Sequence, residues 1–75
     1  MRPDCYFSIG MSGPSILMFD GRAPNVEEAI MECARRNDPP PGVYTASAQV
    51  GTGPVSWFRV TVVDQTSLTI EPVPA

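Results

Sequence analysis

The stretch that decides the fold is DGRAPNVEEAIMECARRND, residues 20–38. It reads as one amphipathic helix with both of its end signals. Asn25 is a good N-cap, and Glu28 stands three residues on as its capping-box partner. Glu27 and Glu28 fall in the first turn, where the helix dipole favours negative charge. Val26, Ala29, Ile30, Cys33 and Ala34 follow the i, i+3, i+4, i+7, i+8 spacing of a single apolar stripe. Arg35 and Arg36 occupy the last turn, and Asn37 followed by Asp38-Pro39 stops the helix. A helix with one apolar stripe needs one other layer to lie on, so the remaining segments should form a sheet.

They read that way. CYFSIGM (5–11) alternates, with Cys5, Phe7, Ile9 and Met11 on an inner face and Tyr6, Ser8 and Gly10 on the other. SGPS (12–15) signals a turn. SILMF (15–19) is a short apolar strand closed by Asp20-Gly21, so the two segments are either a hairpin or one bent strand. Beyond the helix, DPPPG (38–42) forces an extended connector. VYTASAQV (43–50) puts Tyr44, Ala46, Ala48 and Val50 on one face, and its small alanines would let the helix approach closely. GTGP (51–54) is a turn. VSWFRVTVV (55–63) is rich in β-branched and aromatic residues. Its faces are Phe58, Val60 and Val62 against Trp57, Arg59, Thr61 and Val63. DQTS (64–67) turns into LTIEPV (68–73), with Leu68 and Ile70 inward. Pro72 and Pro74 suit an edge or a tail, because proline cannot donate to a ladder. The fold class is α+β: a single domain over 1–75, with a loose tail at 72–75. One helix packs on a small, mainly antiparallel sheet of four to five strands, in the order ββαβββ or βαβββ.

Composition removes several functions. The 75 residues carry a net charge of −3, with eight acids against five basic residues, no histidine, and every basic residue an arginine. A nucleic-acid binder carries a basic stripe, and a membrane-surface protein a polybasic run. Neither is present, so direct nucleic-acid and membrane partners are not expected. No apolar run nears the roughly 20 residues of a membrane span, and no signal-peptide core follows the N-terminus. The expected location is the cytoplasm, where Cys5 and Cys33 stay thiols. Without histidine, Ser-His-Asp and Cys-His arrangements cannot form within one chain. Without lysine there is no Schiff base and no phosphate loop. Two cysteines 28 residues apart do not make a zinc site. No metal and no cofactor are expected.

The candidate residues each have a plain alternative. Cys5 and Cys33 could be a redox pair or a nucleophile, but both sit at positions that suit small buried residues. Asp20 and Asp64 could be paired carboxylates, yet aspartates in DG and DQTS are ordinary turn formers. Arg35 and Arg36 could hold an anion, but such a pair usually completes a helix C-terminus. Glu27, Glu28 and Glu32 form an acidic helix face that would attract a basic partner, against the plainer reading of a solvated surface. Trp57 and Arg59 are the strongest candidates. If Phe58, Val60 and Val62 face the helix, the single tryptophan and its neighbour Arg59 face the other way, with Tyr6 joining them if the first strand lies near. Tryptophan, tyrosine and arginine dominate interface hot spots. The competing readings are a register that turns Trp57 inward, or a simple surface cation–π pair.

In size and organisation the chain resembles the small accessory proteins of bacteriophages and mobile elements, a group that includes anti-CRISPR inhibitors. The likeness is one of general build; no motif carries it, and no functional residue is transferred. It implies a non-enzymatic module that binds another protein with a basic surface and sterically blocks a nuclease or defence complex, in the host cytoplasm. The alternative is a homo-oligomeric structural or assembly protein, a homodimer in its simplest form.

Overall fold

Asn25 caps the helix as its position requires: its Oδ1 accepts from the Glu28 N–H at 2.9 Å. The computed structural model describes residues 4–64 and 67–73. The elements are β1 (Cys5–Ser12), β2 (Ile16–Ala23), α1 (Val26–Asn37), β3 (Gly42–Val50), β4 (Val55–Asp64) and β5 (Ser67–Pro72). The strands form one five-stranded sheet in the order β2-β1-β3-β4-β5, with every neighbouring pair antiparallel. This is the ββαβββ form of the expected α+β fold, and the first two strands are a hairpin.

β2 and β3 both flank β1 antiparallel, so they run in the same direction. The helix is the crossover between them, passing over β1. Only Pro24 and Asn25 separate β2 from α1, so the helix must fold straight back. It lies over β2 and β1. The expected seat over the β3 alanines is therefore incorrect: Ala46 and Ala48 are buried on the same face, but the short connection holds the helix over the β2–β1 half of it. The helix adds Ala29, Ile30 and Cys33 to a core with Phe7, Ile9, Met11, Leu17 and Phe19, completed by Tyr44, Val60 and Val62, and Ala34 is buried beside it. Leu68 and Ile70 face inward and are half-buried.

Asp38 ends the helix in the left-handed conformation (φ 48°, ψ 61°), and its N–H donates to Ala34 O at 2.9 Å. The proline connector then passes over Tyr44, whose hydroxyl donates to Pro40 O at 2.7 Å. That bond satisfies the polar end of a fully buried ring, and burial raises the tyrosine's pKa.

Two expectations about the first hairpin need correction. Asp20-Gly21 does not close β2. The strand continues to Ala23, with Asp20 opposite Ser8 and Gly21 opposite Phe7. Glycine is needed there for another reason: a Cβ on Gly21 would lie 2.7 Å from the tip of the Phe19 ring. Cys5 has the inner-face phase but is exposed, at the start of β1 before its pairing with β3 begins at Phe7. Pro72, expected at an edge or in a tail from 72 on, is the last residue of the edge strand β5, and the Val73 N–H donates to Trp57 O at 2.9 Å. Residues 74 and 75, and the centre of the turn at 65–66, lie outside the described residues.

Candidate functional site

The helix covers one side of the sheet and leaves the other open. Strand periodicity sends alternate side chains to that open side. Most of the large exposed apolar side chains are there, among them Tyr6, Ile16, Met18, Val43, Val55 and Trp57. Met18 is 71% exposed and Trp57 52%. Apolar residues scattered singly over a surface are ordinary; a concentration on one face is not.

Register arranges these residues in rows. Trp57 pairs with Ser47, Ser47 with Gly10, and Gly10 with Met18. The row is therefore high at Met18, low over Gly10 and Ser47, and high again at Trp57. Three strand spacings, about 14 Å, separate its two high points. The low centre extends along the middle of β1 and β3, where Ser8, Gly10, Ser12, Thr45 and Ser47 are small, and larger Tyr6, Val43 and Gln49 bound it at the strand ends. The Ser47 hydroxyl donates to Gly10 O across it at 3.5 Å. The result is a shallow depression of about 210 Å³ whose lining includes Gly10, Met18, Ser47, Gln49, Val55 and the carboxylate-bearing Asp20.

Trp57 thus faces away from the core, with Arg59 two residues on at the same side, as the alternation of β4 predicts. Arg59 stands opposite Glu71 of β5. Tyr6 is on the same face and exposed, but it lies four residues along β1 from the Trp57 row, roughly 13 Å away along the strand. The structure therefore does not bring Tyr6 to Trp57. Short of the bulge at Val62–Asp64, the charged residues in the strands of this face are Asp20, Arg22, Arg59 and Glu71, two of each sign.

The acidic helix residues are elsewhere and are not equivalent. Glu27 and Glu28 are exposed. Glu32 is held in ion pairs, Oε2 to Arg35 Nη2 and Oε1 to Arg36 Nε, both at 2.8 Å. The hydrogen bond from Arg36, with the charges of both arginines, lowers its pKa. Arg36 also lies over the Phe19 ring, 5.3 Å from its centroid. The arginine pair is thus engaged with its own helix and the β2 side of the core.

The catalytic candidates are not assembled into a site. Asp20 lies in the edge strand β2, while Asp64 ends β4, three strands away and at the opposite end of the sheet. Cys5 and Cys33 are free thiols, one exposed and one buried. Burial raises the Cys33 pKa to about 11, with a hydrogen bond from Asn37 opposing the shift, so the thiol stays protonated at neutral pH. Among the described residues, no group of three or more His, Cys, Asp or Glu is placed to hold a metal ion. Among them, too, no helix is long and apolar enough to cross a membrane.

Sequence reasoning missed Ile16 and Met18, because SILMF was too short to show which side of it faced the helix. The alternation of Leu17 and Phe19 with Ile16 and Met18 carried that signal once the SGPS turn fixed the register. It also missed Asn37, whose Nδ2 donates to Cys33 O at 2.7 Å and to Met18 O at 3.2 Å. No known family, curated protein or solved structure matches this chain.

Proposed function

We propose that this chain is a non-enzymatic protein-binding module and that its working surface is the open face of the sheet. The observation that carries the reading is the transverse row Met18–Gly10–Ser47–Trp57: two exposed apolar side chains flank a small-residue depression on the side opposite the core. Buried aromatic anchors set in a ring of weaker contacts supply most interface energy. The mechanism is occupancy, in which the face lies over a surface and excludes what would otherwise bind there. Should that surface belong to a nuclease or defence complex, the effect is steric inhibition. The balanced charges of the face suit a subunit-docking surface better than a basic nucleic-acid channel. A basic partner would instead meet Glu27 and Glu28 on the helix.

A photo-crosslinking residue placed at Arg59 tests this, with Glu27 on the helix as the comparison site. Protein adducts from position 59 and none from 27 support the open face. Adducts from 27 alone move the working surface to the helix and refute the reading.

A further inference from the structure

We infer that the occupant of the open face is a second copy of this chain, packed sheet to sheet around a two-fold axis that runs parallel to the strands between β3 and β4. The inference rests on the open face being the contact surface, and it names what covers it.

Four observations point to this arrangement. The first concerns the sheet edges, the usual route to self-association. Val73 N–H bonds Trp57 O, so residues in phase with Val73 aim their polar groups at β4, and Pro72, out of phase, aims at the free edge. It has no N–H to offer a neighbouring strand. On the other edge the outward carbonyl of Met18 is taken by Asn37 Nδ2. Asp20 and Arg22 put charge along the same strand. Each edge thus carries a hindrance to strand addition, at Pro72 on β5 and at Met18, Asp20 and Arg22 on β2, and the face carries none.

The second is charge. The chain carries −3 overall, yet within its strands, short of the bulge, the open face balances Asp20 and Glu71 against Arg22 and Arg59. Two copies can meet there without the repulsion that the acidic helix surface would impose.

The third is shape. A bulky ridge on β4, Val55–Trp57–Arg59, runs beside the low strip over β1 and β3. A two-fold axis parallel to the strands preserves height along them, so each copy's Trp57 row meets the same row of the other. Placed between β3 and β4, it seats Trp57 over Gly10 and Ser47 of the second copy and brings Met18 beside Val73 of the second copy. Both contacts then occur twice, as an isologous interface requires. Twisted sheets pack aligned within about 30° in this way.

The fourth is size. The molecule measures 33 × 27 × 17 Å. Its broad face is comparable with the roughly 800 Å² that each side of a standard interface buries.

Sedimentation equilibrium of the purified protein in the micromolar range tests the inference, with Trp57→Ala, Met18→Glu and Glu27→Ala beside the wild type and circular dichroism confirming that each is folded. The expected result is a wild-type monomer–dimer equilibrium, weakened at least about 10-fold by Trp57→Ala and by Met18→Glu, and unchanged by Glu27→Ala. A wild type that stays monomeric overturns the inference. So does a dimer indifferent to both face substitutions. The crosslink at position 59 separates the two proposals. Adducts only to other proteins remove the second copy and keep the open face as the contact surface, whereas no adduct of any kind removes both.

Discussion

Asn37, the last residue of the helix, donates from Nδ2 to the carbonyl of Met18 on the outer edge of the sheet, 3.2 Å away. The same nitrogen donates to Cys33 O at 2.7 Å. One side-chain amide therefore closes the helix C-terminus, ties the helix to β2 and occupies an edge carbonyl. Removing it leaves the Met18 carbonyl to solvent, while Cys33 O keeps the helical bond from the Asn37 backbone N–H. Asn37→Ala should destabilise the fold by about 1 kcal/mol. Asn37→Asp should cost more than Asn37→Ala, since it removes the donor and adds negative charge where the helix dipole is already negative. Chemical denaturation of both variants checks the order. Equal stability in all three proteins would mean that the clamp contributes nothing.

Gly21 is predicted to be intolerant for a steric reason. The added Cβ of Gly21→Ala would meet the Phe19 ring at 2.7 Å. The ring is packed into the core, so it must shift or the strand must bend, at about 1–3 kcal/mol. Pairing Gly21→Ala with Phe19→Leu should recover part of that loss, because the smaller side chain clears the space. Thermal melts of the two single variants and the double variant read the coupling directly.

Cys33 gives a prediction in alkali. Its native pKa of about 11 exceeds the ordinary thiol value of 9.0. Above pH 9 the unfolded chain releases a proton that the folded chain keeps. The contribution of the buried thiol to stability is thus complete below pH 9 and declines as pH rises from there through 11. Cys33→Ala should flatten that part of the stability profile. At neutral pH, thiol reagents should modify exposed Cys5 quickly and Cys33 only as fast as the structure opens. Equal labelling rates would show that the helix does not seal the core.

Much of this architecture was legible locally. The helix needed only its own residues: the Asn25 cap, the stripe ending at Ala34 and the stop at Asp38. The outward Trp57 followed from alternation within β4. The illegible parts depend on pairing. Asp20-Gly21 has turn chemistry, but β1 offered a register that continued the strand to Ala23, and Gly21 served the Phe19 ring instead. Tyr6 shared a face with Trp57, yet only the cross-strand register reveals the distance between them. Cys5 had the right phase for burial and the wrong position along the sheet. The Gly10–Ser47 depression belongs to two strands separated in the chain by β2 and the helix, and no single segment contains it.

Trp57→Ala should leave the isolated domain intact. At 52% exposure and away from the core, its loss should change monomer stability by no more than about 0.5 kcal/mol. The comparison belongs at a concentration where the wild type is monomeric, because association raises apparent stability by mass action. Collapse of the variant at that concentration would place Trp57 in the folding core.

The central claim is that the open face is the contact surface and that a second copy covers it. Trp57 is the chain's single tryptophan, so its fluorescence reports that face alone. The most direct measurement is its emission maximum as purified protein is diluted through the micromolar range. A blue-shifted maximum at high concentration that moves to the red on dilution, with unchanged circular dichroism, is the predicted result. A maximum that stays red throughout would contradict the account.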